Sequence, residues 1–312
     1  MAKDREETGG LIIAPGCENE CIFCGKVRKR EKDELREQEI NILKNIKEFK
    51  QKGIKRIEIS GNDPIEYDKI IPLIKYLKKK GFNFICLSTH GRRLADDKFF
   101  NDFINVGVTI VRVPLYGSNS EVHDAVTNSK GSFEETFKGI KKISEKAPHI
   151  RLQISTLILK QNKDDLTKIL DLVKKLNVTD NYFSTPFFAN EDFSYYIPLK
   201  ELPKYTKKIY QYAKKAGTKT NFMEMPFCLF ETYDTIIDNQ STPPDLGENC
   251  QPANEHKSEK KDWPKYRLKE KIELCEECGC NDICDGFIKK DIEYFGTGNL
   301  KPIPKSAIFE QR

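Results

Sequence analysis

Three cysteines, Cys17, Cys21 and Cys24, fall within eight positions of the run PGCENECIFCGK. Thiols this close together hold a metal ion, a metal–sulfur cluster or one another. A structural zinc ion takes four ligands in a closed tetrahedron, and no histidine stands within twenty residues of the run. An iron–sulfur cubane also takes four ligands, and three thiolates leave one iron open to a small molecule. The spacing therefore points to a cluster used for chemistry, with a zinc site completed by a distant residue as the alternative. A second group, Cys275, Cys278 and Cys284, has Cys280 inside its last gap. Thiolate spacing alone does not separate zinc from an iron–sulfur cluster there. Cys228 and Cys250 precede this group in the chain. Cys86, in an apolar run, reads as a buried small hydrophobe.

The elements that must position these residues follow a repeating pattern. Short apolar runs at 11–14, 54–59, 82–87, 108–113, 150–159 and 182–188 alternate with amphipathic stretches. Helices are expected at 33–51, 68–80, 96–105, 133–146, 163–176 and 202–216. Apolar runs alternating with segments of helical period imply successive βαβ units and a parallel sheet. Six such units predict an α/β fold, an incomplete (βα)6 TIM-type barrel, with its site at the C-terminal ends of the strands. Residues 1–227 are read as the barrel and 228–312 as a small cysteine-rich domain. The polar, proline-containing stretch 234–271 is read as a long connection. Ser132 is expected to cap the helix at 133–146, with Glu135 completing a capping box.

Composition limits the remaining classes. The 312 residues carry a net charge of +5, spread along the chain. Basic runs such as 78–80 read as solvated helix faces, so nucleic acid is not expected as a partner. No apolar run is long enough to span a bilayer and the start, MAKDREETGG, is too polar for a signal peptide. A cytoplasmic location without a membrane partner is expected. In a reducing compartment ten cysteines suit metal binding better than disulfides.

The C-x3-C-x2-C spacing, with Phe23 before the last cysteine and a strand before the loop, resembles the signature of the radical S-adenosylmethionine enzymes. The resemblance implies a [4Fe-4S] cluster on Cys17, Cys21 and Cys24, its open iron chelated by S-adenosylmethionine. Reduction then cleaves the sulfonium to a 5′-deoxyadenosyl radical that takes hydrogen from a substrate. Phe23 would pack near the adenine. Gly61, Asn62, Asp63 and Pro64, after the second strand, resemble the family's Gly-Gly-Glu-Pro turn for the methionine amino group. Thr89 lies in LSTHG, which resembles a Thr-Asn-Gly segment with His90 in the Asn place. His123 and Asp124 resemble a His-Asp pair read as organising the loop before the next helix. On the fifth strand Gln153 and Ser155 share one face and are candidates for the cofactor ribose or substrate. Arg112 on the fourth strand is a similar candidate.

The spacing Cys275-x2-Cys278-x5-Cys284 resembles the SPASM extension, or its shorter form, twitch, which holds auxiliary iron–sulfur clusters. Ile288 stands where the full pattern has a further cysteine, so the resemblance implies the shorter form with one auxiliary [4Fe-4S] cluster. Cys228 is its preferred fourth ligand, because related maturases place a cysteine at that junction, and Cys250 is the competitor. The layout is similar to maturases of ribosomally made peptides. The expected reaction is hydrogen abstraction from a peptide or protein side chain, with an electron donor such as flavodoxin or ferredoxin. With some ten residues before the first strand, a peptide would be recognised by a separate protein or at the barrel mouth. Cofactor or small-molecule biosynthesis is the rival reaction; the end KSAIFEQR lacks the Gly-rich tail of the molybdenum-cofactor cyclase. A non-catalytic zinc or nucleic-acid-binding module is the rival of another class.

Overall fold

A computed structural model describes residues 8–25, 31–187, 192–230, 250–252, 269–298 and 300–306. The barrel alternates as follows: β1 (Thr8–Ile13), α1 (Lys32–Gln51), β2 (Arg56–Gly61), α2 (Ile70–Lys79), β3 (Phe84–Ser88), α3 (Asp97–Phe103) and β4 (Ile110–Pro114). Two helices follow, α4 (Ser120–Thr127) and α5 (Ser132–Lys146). Then come β5 (Arg151–Leu157), α6 (Leu166–Val173), β6 (Val178–Ser184), α7 (Leu202–Ala216) and β7 (Thr220–Met223). The strands pair in parallel in the order β7-β6-β5-β4-β3-β2-β1, and a short β8 (Cys250–Pro252) pairs in parallel with the free edge of β1. The C-terminal region adds β9 (Lys269–Glu270), paired antiparallel with β10 (Phe287–Ile288), and α8 (Lys289–Phe295).

Each barrel strand has one apolar face. Ile57 and Ile59 of β2 and Val111 and Val113 of β4 are fully buried with Ile74 and Leu77 of α2, Phe100 and Phe103 of α3 and Ile140 and Ile143 of α5. Residues one position away, Glu58, Arg112 and Gln153, make polar contacts to one another on the other face. That alternation follows from side chains of a strand pointing to opposite faces. It explains why an apolar helix layer and a polar interior coexist on one sheet.

The structure departs from the sequence reading in four places. β6 starts at Val178, four residues before the expected strand, because its buried Asp180 and Asn181 are polar, Asp180 facing Gln153 in the interior. The end of that expected strand, Phe188, lies outside the described residues. Two strands extend the expected six, β7 and β8. The loop expected after β4 contains α4, capped by the Asn119 side chain, which accepts from the Val122 amide at 3.1 Å, and ended by Asn128 at φ 50°. Finally, Ser132 is not the cap of α5. Gly131 occupies that position at φ 84°, and the capping acceptor is Asp124, which receives the Gly131 and Phe133 amides at 2.7 and 2.8 Å and the Ser132 hydroxyl at 2.9 Å. Glu135 is turned outward to Arg92, at 2.5 Å. Most of the connection expected at 234–271, and the last residues of the chain, also lie outside the described residues.

Candidate active site

The loop after β1 carries Cys17, Cys21 and Cys24, and two backbone hydrogen bonds tie it to the end of α4. The Glu20 amide donates to the Thr127 carbonyl and the Ile22 amide to the Val126 carbonyl, each at 3.0 Å. A turn closed by the Cys24 amide on the Cys21 carbonyl, at 3.0 Å, joins these two cysteines across the two residues between them. Phe23 lies edge-on to Tyr116 with ring centroids 5.3 Å apart. Cys21, Ile22 and Phe23 pack on an apolar cluster that includes Tyr116, Tyr195, Tyr196 and Ile288. Burial pushes the Cys21 thiol well above its ordinary pKa, and the charges of Cys24 and Cys17 push it further. Cys24 is raised by burial and then by Cys17. Three thiols gathered on one loop are a donor set that fits a cluster, whose positive charge would offset their ionisation.

The turn after β2 is shaped by Gly61. Its φ is +139°, and a Cβ there would lie 2.0 Å from the Ile13 carbonyl oxygen, so only glycine allows β2 to approach the exit of β1. Asn62 is half-buried and Pro64 opens a short helical turn. Asp63 is fully buried; one oxygen accepts the Ile65 amide at 3.3 Å and the other lies 2.5 Å from His90 Nε2. His90 Nδ1 lies 3.2 Å from the Arg92 amide nitrogen, and Nε2 faces Asp63. Burial opposes charge on His90, but Asp63 and then Cys17 outweigh it and lift its pKa to about 10. Glu66 joins them, and ligand atoms of Asp63, Glu66 and His90 lie within 4.8 Å of one another. The Glu66 carboxyl is pushed up by burial, then by Asp63 and Glu18. Glu66 is not singled out in the sequence, where the turn is read as ending at Pro64. Thr89 is buried and its hydroxyl accepts the Gly91 amide at 3.0 Å.

Below this rim lies a polar floor. Arg112 donates to Glu58 at 2.9 Å, to Gln153 at 3.3 Å and to Ser88 at 3.4 Å. Gln153 in turn reaches Asp180 and the Tyr182 hydroxyl, each at 3.4 Å, and Asp180 is held by Lys219 at 2.5 Å and Arg151 at 3.2 Å. Arg112 and Gln153 thus spend their donors inside the sheet, while Ser155, one step along β5, stays half-buried. His123 is a neutral core residue: burial lowers its pKa to about 4, and its Nδ1 accepts the Tyr116 amide at 3.1 Å.

The C-terminal cysteines meet at one cavity. Cys228, Cys275, Cys278 and Cys284 all line it. The Cys228 thiol is raised to about 12 by burial and then by the charges of Cys284, Cys278 and Cys275. Cys280 is fully buried in the adjoining apolar cluster. Cys86 is buried inside the barrel, 3.7 Å from Arg112. Cys250 stands in β8 opposite Thr8.

A family model described as the radical SAM superfamily matches residues 11–173, just over half of the 312. Curated relatives include a probable GTP 3′,8-cyclase of Methanococcus maripaludis, 27% identical over 166 residues, covering 53% of this chain and 54% of that one. An AdoMet-dependent heme synthase of Methanosarcina barkeri is 27% identical over 166 residues, covering 53% of this chain and 46% of that one. The chain thus spans about half the length of the curated relatives it matches. Among solved structures, SuiB of Streptococcus suis bound to its precursor peptide SuiA superposes with a TM-score of 0.56 at 13% identity, over 69% of this chain and 48% of that one. The structure of anSMEcpe with bound AdoMet and a Kp18Cys peptide gives 0.53 at 14%, over 69% and 63%. At those identities the likeness is one of fold. With the cysteine loop, the glycine turn and the parallel sheet all inside the matched region, the chain belongs to the radical SAM superfamily.

Proposed function

We propose that this chain reductively cleaves S-adenosylmethionine and uses the resulting 5′-deoxyadenosyl radical to abstract hydrogen from a small-molecule substrate of cofactor biosynthesis. The observation that carries the radical step is the set of three thiols, Cys17 and Cys21 half-buried and Cys24 exposed, gathered on one loop fixed to α4. When bound, a [4Fe-4S] cluster supplies the electron and the open iron. The chain's own residues then orient the cofactor: the half-buried Glu66 carboxyl suits an ammonium, Asp63 anchors His90 and the turn, Gly61 and Pro64 shape the turn beside Asn62, and Phe23 offers an aromatic wall. Thr89, Arg112, Gln153 and Ser155 bound the interior in which substrate would lie. Arg112 and Gln153 act there through the hydrogen-bonded floor.

The choice of small molecule rests on the sequence relatives, a GTP 3′,8-cyclase and a heme synthase. A peptide or protein substrate is the second reading, favoured by the meeting of Cys228 with Cys275, Cys278 and Cys284 at the junction with the barrel. On either reading we divide the chain into a barrel at 1–227 and an auxiliary-cluster domain at 228–312, reduced by a flavodoxin or ferredoxin in the cytoplasm.

Anaerobic reconstitution followed by incubation with S-adenosylmethionine and dithionite should give 5′-deoxyadenosine. The Cys21→Ala variant should give none. Zinc without iron in the wild-type protein, or no 5′-deoxyadenosine from an intact cluster, would sink the proposal.

A further inference from the structure

The side chain of Arg92 crosses the rim of the barrel, from the exit of β3 to the cysteine loop and to α5. Its Nη1 donates to the Asn19 side-chain oxygen at 2.9 Å and to the Glu18 carbonyl at 3.3 Å, both between Cys17 and Cys21. Its Nε donates to Glu135 of α5 at 2.5 Å, and Nη2 lies 3.8 Å from the Glu18 carboxylate. Two glycines bring these parts together. Gly91, at φ +80°, turns the chain out of the strand exit into the short helical turn Arg92–Ala95. Gly139 lets α5 press on that turn, since a Cβ there would lie 2.5 Å from the Gly91 carbonyl oxygen. Glu135 stands one helical turn before Gly139 on the same face, which carries its carboxylate to Arg92. On the other side, Arg93 donates to the Ile65 carbonyl of the turn after β2. The exit of β3 thus grips the cysteine loop and the glycine turn at once.

We propose that Arg92 is a positioning residue for the cluster: it holds the stretch between Cys17 and Cys21 in the shape that lets S-adenosylmethionine bind, and Glu135 acts by holding Arg92. The inference rests on the radical reading of the cysteine loop and adds to it a residue outside the cysteines. Shape is what Arg92 supplies, because its charge is already faced by the carboxylates of Glu18 and Glu135. A guanidinium presents its donors in a rigid plane, so Asn19 and Glu135 can be served from opposite edges of one group. A lysine, with a single ammonium, keeps the charge and loses that span. Glu135 is half exposed, and an ion pair of that kind contributes little to stability. Its use is to aim the guanidinium. Asn19, the partner on the loop, is buried, so a change at Arg92 leaves its side-chain oxygen without this donor and frees the backbone between two of the three thiols.

The test uses the reconstituted full chain, reduced with dithionite and titrated with S-adenosylmethionine. The readout is the change in the electron paramagnetic resonance spectrum as the cofactor binds. Arg92→Ala should need roughly tenfold or more cofactor for half of that change, the usual cost of removing a group that orients a metal ligand. Arg92→Lys should be weakened in the same direction. Glu135→Ala should show a smaller loss, and the double variant Arg92→Ala/Glu135→Ala should match Arg92→Ala alone, since Glu135 works through Arg92. Glu134→Ala, exposed on the same turn of α5, should match wild type. If Arg92→Ala takes up no iron, Arg92→Lys and Glu135→Ala decide the question. A wild-type titration in Arg92→Ala or Arg92→Lys would overturn this inference alone. So would losses that multiply in the double variant. No spectral change with cofactor in the wild-type protein would overturn it together with the radical reading.

Discussion

Asp291 and Asp124 show how single carboxylates couple this fold to pH and to local order. Asp291, on α8, is pushed up to about 7 by burial. An unfolded aspartate titrates near ~3.9. Between those values the unfolded chain has released its proton and the folded chain has kept it. Stability therefore falls as pH rises through this window and levels off above about 7. Asp291→Asn should remove that slope and raise stability at pH 8 by up to a few kcal/mol, at roughly 1.4 kcal/mol per unit. Denaturant midpoints at pH 5 and pH 8 check it; an unchanged slope in the variant would refute it. Asp124 acts in the opposite sense. Burial works against its charge, but the Phe133 and Gly131 amides and the Ser132 hydroxyl outweigh it and hold its carboxyl below the usual range. Asp124→Ala should lower stability at neutral pH by about 1–2 kcal/mol, the usual cost of losing a helix cap, read as a lower melting temperature.

At the scale of elements, α4 matters more than its eight residues suggest, because its last carbonyls receive the cysteine loop. Removing the cap, Asn119→Ala, should cost about 1 kcal/mol and speed iron loss to a chelator, while the starting iron content stays near wild type. Equal release rates would separate the helix from the loop. This helix is also the clearest miss of the sequence reading. Its residues, SEVHDAVT, offer few apolar side chains, and three of those it buries are His123, Val126 and Thr127. The outer helices and the middle strands were legible because each buries a continuous apolar face. The start of β6 was not, since its inward residues are polar, and β7 is only four residues long. At the site, cysteine spacing and the glycine turn stood out in the chain. The meeting of Glu66 with His90 did not, because they are brought together by neighbouring strand ends rather than by local sequence. The cap on α5 was misread because its acceptor comes from eight positions upstream.

Taken whole, the molecule joins its cysteine-rich end to the barrel through shared apolar packing. Phe287 and Cys280 are buried with Phe183 of β6, Phe222 of β7 and Leu229. Phe287→Ala should cost about 3–5 kcal/mol and lower the midpoint for the barrel as well as for the C-terminal region; two separate transitions would show that the parts fold independently. The tie between the cysteine loop and the carbonyls of Val126 and Thr127 has a further consequence, for the order of events during biogenesis. Residues 20 and 22 find their partners over a hundred positions later, so these two ties form only once the chain has been made through α4, and the loop as the fold holds it is available to a cluster only from then on.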